Sequence, residues 1–179
     1  MRLAYDHGEL ARLREFLLML GKRRGQAKKA IIDMVQWCMG SEVLDRLPSR
    51  EERYRMLETL REAGEGKMFL EREYAQVTRW LAEQMEEDGR TEEATKLVQE
   101  IQIETYGSLT TVEKVDFILY QMKLVLLRRD FVRCQILSRK ISKKNLAEKG
   151  LERQKIQYFR FMIQYYIHER NTLEGAKSY

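Results

Sequence analysis

The sequence predicts an all-α fold, a right-handed α-solenoid of antiparallel helix pairs with TPR-like repeats. Three observations predict it. Apolar residues recur at intervals of three and four along most of the chain, the period of a helix with one buried face. No stretch alternates with period two for the length of a strand, and one proline in 179 residues leaves helices uninterrupted. A turn motif also repeats: Gly89-Arg90-Thr91-Glu92-Glu93-Ala94 is matched 40 positions on by Arg129-Asp130-Phe131-Val132-Arg133-Cys134, and 41 later by Arg170-Asn171-Thr172-Leu173-Glu174-Gly175. Each copy opens on a polar turn pair and has a small residue sixth. A helix-pair repeat of this length is the signature of a solenoid, whose usual work is holding partners. The right hand is the one most such stacks adopt.

The first helix is predicted over Glu9 to Leu20, with Leu10, Leu13, Leu17 and Leu20 in one stripe and Gly21 as its break. The second spans Gln26 to Met39, with Ala27, Ile31, Met34 and Cys38 inward and Trp37 beside them. Ser49 and Glu52 read as a capping box that opens a helix carrying Tyr54, Leu57 and Leu60 and stopping near Gly64. A long helix follows from Lys67 to Asp88 with Leu70, Tyr74, Val77, Leu81 and Met85 inward. Gly89 closes it in the left-handed conformation. Thr91 caps the next helix, which has Glu92 and Glu93 where the helix dipole favours them and Ala94, Leu97, Val98, Ile101 and Thr105 as its stripe, up to Gly107. Thr110 and Glu113 form a second capping box before Val112, Val115, Leu119, Met122 and Leu126. After the turn at Arg129-Asp130, Cys134, Leu137 and Ile141 face inward. A charged segment over 142–150 leads to a last long helix with Ile156, Phe159, Ile163 and Tyr166 inward, and a further helix begins after Asn171. Short connections make neighbouring helices antiparallel.

Composition narrows the function classes. The longest apolar runs, Phe16 to Leu20 and Leu124 to Leu127, fall far short of the roughly 20 residues that cross a bilayer. The first residues lack the apolar core of a secretory signal. The two cysteines, Cys38 and Cys134, sit singly on helix patterns and read as small core residues in a reducing compartment, the cytoplasm or nucleus.

Catalytic and cofactor constellations are missing. His7 and His168 are far apart, and Gly21-Lys22-Arg23-Arg24-Gly25 lacks the preceding strand and following Lys-Ser/Thr of a phosphate loop. Glu86-Glu87 and Glu92-Glu93 read as solvated capping charges. The expectation is therefore a protein that is not an enzyme, with no cofactor, no metal and no small-molecule substrate.

Charge is divided unevenly. Residues 1–119 carry 19 basic and 23 acidic side chains, and residues 120–179 carry 14 basic and 5 acidic. One basic cluster is Lys22, Arg23, Arg24, Lys28 and Lys29. The other, Arg128, Arg129, Arg133, Arg139, Lys140, Lys143 and Lys144, is the candidate partner-binding surface. Aromatic residues are not interleaved with it, so a nucleic-acid platform is disfavoured against an acidic protein partner or a solvated face.

Four ordered blocks carry a family resemblance. Residues 22–30 resemble a "KRR-Q-KQA" segment, and Glu65 to Glu71 resembles "EGKIYVE". Val98 to Ser108 resembles "LQE…VETYGS", and Phe117 to Ile141 resembles "FILEQMRLCL…DFVRAQILSRKI". Glu73 to Val77 and Trp80 depart from the pattern. Over residues 16–179 the chain resembles the N-terminal helical-repeat region of the 26S proteasome non-ATPase regulatory subunit 12 family, with PCI-type repeats. The resemblance implies one helical-repeat domain over 1–179, an N-terminal fragment without the C-terminal PCI and winged-helix region. It further implies a non-catalytic scaffold in the lid of the 19S regulatory particle. The implied partners are other lid subunits and the α-ring of the core particle. Homologous scaffolds of the COP9 signalosome or translation initiation factor 3, and an RNA-binding helical module, are the alternatives.

Ala94 and Cys134, the sixth residues of two motif copies, are expected where helices approach most closely.

Overall fold

A computed structural model describes residues 2–22, 27–142, 144, 146 and 150–169. The third motif copy at 170–175, the helix after Asn171, the predicted helix start at Gln26 and the basic residues Arg23, Arg24 and Lys143 lie outside the described residues. Every regular element among the described residues is an α-helix or a short 3-10 turn. The helices cluster into two units, Met1–Glu87 with Tyr106–Ser108, and Asp88–Thr105 with Leu109–Tyr179.

The first unit holds α1 (Arg2–Asp6), α2 (Leu10–Lys22), α3 (Lys28–Met39), α4 (Arg50–Gly64) and α5 (Glu71–Glu87). Their stripes meet in a core that includes Leu13, Leu17, Val35, Cys38, Leu57 and Leu81. α4 is parallel to α2: Arg14 pairs with Glu52 near the start of both, and Lys22 with Glu62 at 2.9 Å near the end of both. α4 is antiparallel to α5. Arg50, its first residue, exchanges hydrogen bonds with Gln84, donating Nη2 to the Gln84 carbonyl at 3.2 Å and accepting Gln84 Nε2 at 2.8 Å. At the other end of the pair, a Cβ on Gly64 would come within 3.3 Å of the Tyr74 ring, so glycine lets the two helices close up there. Residues 106–108 join this unit where Gly107 N–H donates to Glu71 at 3.1 Å.

The second unit holds α6 (Thr91–Gln99), α7 (Thr111–Leu127), α8 (Phe131–Lys140) and α9 (Glu152–His168). α7 is its centre and buries residues on nearly every side, from Val115 through Leu126. It runs antiparallel to α6, with Arg128 at its end reaching Glu92 at the start of α6 at 3.4 Å. α9 is parallel to α7, since Gln154 near its start donates to Asp116 near the start of α7 at 3.0 Å. α9 is antiparallel to α8: its last residue, His168, stacks on Phe131, the first residue of α8, with ring centroids 3.7 Å apart.

The two described motif copies have the same backbone solution. Gly89 has φ +76° and Arg129 has φ +58°, both in the left-handed region that reverses the chain after a helix. Ala94 and Cys134 are both fully buried, as their place in the repeat requires.

Several local expectations are corrected. Gly21 does not end α2, which continues through Lys22. The helix expected from Lys67 starts as a 3-10 turn over Met68–Leu70, and α5 proper begins at Glu71. Ser49 accepts the Glu52 amide at 3.1 Å, but the Glu52 carboxylate turns to Arg14 and Arg55, so only half of that box forms. The Thr110–Glu113 box forms in both directions. Thr91 is the first helical residue of α6 and no side chain caps that helix; Asp130 caps α8 by accepting the Arg133 amide at 3.0 Å. α6 ends at Gln99, well before Gly107, and Thr105 is exposed in a separate 3-10 turn. Ala27 and Val112 are exposed. On α9 the buried residues are Tyr158, Met162 and Tyr165, and Ile156 is 56% exposed, so the inward face is one position off the expected stripe.

Candidate partner-binding surface

The side chains with potential chemistry are dispersed or inert. Among the described residues no group of three or more His, Cys, Asp or Glu side chains could hold a metal ion. His7 is exposed, and His168 ends α9 with Nδ1 3.3 Å from Glu169. Burial raises the Cys38 thiol to about 12 and the Cys134 thiol to about 11, so both stay protonated at neutral pH and neither is a ready nucleophile. Among the described residues no helix is long and apolar enough to cross a membrane.

The C-terminal basic cluster is built by the turn at Arg129 and by α8. The turn brings the end of α7 against α6, so Arg128 meets Glu92. Arg129 is exposed at the turn itself. Arg133, one turn into α8, donates Nη1 to the side-chain oxygen of Gln99, with Nε 3.4 Å from Asp130. Two turns further, Lys140 pairs with Glu104 at 2.7 Å. Partial burial opposes ionisation of Glu104, but the Lys140 bond prevails and holds that carboxyl below its usual range.

Arg139 points the other way. With Gln135, Tyr158, Tyr165 and Glu169 it lines a groove of about 420 Å³ between α8 and α9. Burial raises the phenols of Tyr158 and Tyr165, so the tyrosines stay neutral there. Lys144 is exposed in the segment after α8. Lys143 is outside the described residues.

The structure thus divides the predicted cluster between two edges of α8. Arg128, Arg133 and Lys140 turn toward carboxylates and amides of the α6 side. Arg128 and Arg133, with Lys96, Gln99, Glu100 and Asp130, line a groove of mixed charge on that edge, and Lys140 pairs with Glu104. Between the edges stand Val132, 71% exposed, and Ile136, 54% exposed, both outside the predicted inward stripe. A signal for them existed: Phe131 to Ile141 has more apolar positions than the Cys134, Leu137 and Ile141 stripe uses. The N-terminal cluster disperses in a similar way. Lys22 pairs with Glu62, and Lys28 lies 5.9 Å from the centre of the Phe69 ring.

The family described as PSMD12/CSN4, N-terminal, matches the chain over residues 1–179. The 26S proteasome non-ATPase regulatory subunit 12 of Dictyostelium discoideum is 36% identical over 179 residues, which is all of this chain and 40% of the relative. Homolog A of that subunit in Arabidopsis thaliana is 37% identical over 203 aligned positions, covering all of this chain and 45% of the relative. The 26S proteasome regulatory subunit RPN5 of Saccharomyces cerevisiae is 38% identical over 165 residues, covering 92% of this chain and 37% of the relative. The chain therefore spans less than half the length of each of these relatives. With its helix pairs and its match along the whole sequence, this chain belongs to the PSMD12/CSN4 N-terminal family.

Proposed function

We propose that the chain serves as part of a non-catalytic scaffold subunit in the lid of the 19S regulatory particle of the 26S proteasome. In that role it supports lid assembly and so the ATP-dependent degradation of ubiquitinated proteins. The observation that carries this reading is the match along all 179 residues to relatives named as regulatory subunit 12. Other lid subunits and the α-ring of the core particle are its proposed partners, and the cytoplasm and nucleus its proposed location. The finer fold reading, a right-handed α-solenoid with TPR-like, PCI-type repeats, belongs to the same proposal. The 40-residue spacing of the Gly89 and Arg129 turns supports it. So does the alternation inside each unit, where α2 and α4, or α7 and α9, run parallel with an antiparallel helix beside them.

Affinity capture of the tagged full-length protein from its own cells tests the reading. Lid subunits are expected in stoichiometric amounts, and a clean capture without them overturns it. The family description couples PSMD12 with CSN4, which favours one second reading: a homologous scaffold of another complex, such as the COP9 signalosome. The same capture separates the two, because the recovered partner sets differ.

A further inference from the structure

α8 carries two apolar rows, and only one faces the core. Cys134, Leu137 and Ile141 are buried against the rest of the unit. On the opposite side Val132 and Ile136 sit one helical turn apart, with side chains neighbouring along the axis. At 100° per residue, Arg139 falls on one side of this outer row, and Lys140 and Arg133 on the other. The contacts agree with the wheel: Arg139 lines the α8–α9 groove, while Lys140 and Arg133 reach Glu104 and Gln99 on the α6 side. No acidic residue occurs in Phe131–Lys140. An exposed Val or Ile alone needs no explanation. An aliphatic row bordered by cations on both edges is one half of an amphipathic pair.

We infer that this face of α8 docks an amphipathic helix of a partner protein, one that presents an aliphatic row edged by Asp and Glu. The inference rests on the scaffold reading and names the chemistry of one partner contact. Charge selects an acidic partner: residues 120–179 hold 14 basic and 5 acidic side chains, and α8 contributes only bases. The row itself selects protein over nucleic acid. Val132 and Ile136 offer no ring on which a base could stack, whereas aliphatic anchors on one helix fit the grooves of another. Lys140 is partly engaged by Glu104, and Arg133 by Gln99 and Asp130, which leaves both at the rim, where they fix register and exclude wrong partners. Ten residues of helix can supply only a fraction of the roughly 1,600 Å² of a standard interface. The contact is therefore weak alone and gains strength inside an assembly that holds both subunits.

The test uses the 179-residue chain and a fluorescent synthetic helix with leucines at positions i, i+4 and i+7 bordered by glutamates. Fluorescence anisotropy at physiological salt and high chain concentration is expected to report weak, saturable binding. V132S/I136S or R139E/K140E should weaken it by about tenfold, in the range of hot-spot losses. Replacing the probe's glutamates by lysines should abolish it. Val132 and Ile136 are exposed, so circular dichroism melts of V132S/I136S should overlay the parent. Absence of binding, or equal binding by V132S/I136S, overturns the inference. So does an unstructured RNA oligonucleotide that binds more tightly than the probe. Capture of lid subunits by the unaltered full-length protein is read separately. If that capture fails while the probe result holds, the lid reading falls and the surface stands. If capture succeeds and the probe binds V132S/I136S unchanged, the surface falls alone.

Discussion

The buried side-chain amide of Gln121, on α7, donates to the Val98 carbonyl at 2.7 Å and to the Ile101 carbonyl at 3.2 Å. α6 is short and ends at Gln99, which leaves carbonyls without partners inside its own helix. One glutamine on the central helix takes up the Val98 carbonyl of α6 and the Ile101 carbonyl just beyond it. The contact ties the end of α6 to α7.

Gln121→Leu keeps the approximate volume of the side chain and removes both donors. The Ile101 carbonyl would then lose its donor, at a cost on the order of 1–3 kcal/mol, while the Val98 carbonyl keeps the Ile101 amide at 3.3 Å. Chemical denaturation should show a loss of about that size. Amide exchange should quicken first at the end of α6. A variant as stable as the parent would mean that water replaces the amide without penalty.

Ala94→Arg and Cys134→Arg should each destabilise the chain by more than about 3 kcal/mol, because each buries an unpaired charge where no solvent reaches. Val132→Arg is the control. It lies on the same helix as Cys134 at 71% exposure and should change stability by less than about 0.5 kcal/mol. Overlapping melts for all three would show that the repeat register is wrong.

The two turns of the repeat make opposite predictions. Gly89 at φ +76° suits its conformation, so Gly89→Ala should cost about 1 kcal/mol. Arg129 at φ +58° occupies the same region with a Cβ, so Arg129→Gly should gain up to about 1 kcal/mol. Equilibrium denaturation of the two variants should give shifts of opposite sign.

The Glu104–Lys140 pair sets an acid limit. Glu104 has a folded-state pKa below its ordinary value of 4.5. Its contribution is therefore present above pH 4.5 and is lost as pH falls through the folded value. In Lys140→Met the carboxyl should titrate closer to its ordinary range, and carbon-detected NMR of Glu104 checks this. An unchanged titration would mean that the ion pair is not formed in solution.

Legibility in the sequence followed how single-faced each helix is. On α8 the longer apolar row, Cys134, Leu137 and Ile141, is the buried one, and its spacing alone marks it. α9 has Tyr158, Phe159, Met162, Ile163, Tyr165 and Tyr166 on adjacent positions, so periodicity offers two stripes about 100° apart, and packing against α7 and α8 chose the other one. Caps divided on geometry that spacing cannot carry. Thr110 and Glu113 close reciprocally, while Glu52, in the same pattern, is claimed by Arg14 on a neighbouring helix. The basic cluster was legible as charge but not as a surface. The helical wheel puts Arg139 and Lys140 on opposite sides of Val132 and Ile136, and the packing of α8 decides that this row, not the Cys134 row, faces out.

The two cysteines acquire an experimental meaning from their depth. Cys38 and Cys134 are fully enclosed, and their thiols are held far from ionisation. A maleimide dye added to the folded chain at neutral pH therefore finds no native anchor. One new thiol at an exposed position such as 136 becomes the sole address on the molecule for a fluorophore, a spin label or a photo-crosslinker. The native sequence is thus already a blank background on which contacts of the α8 face can be mapped one position at a time.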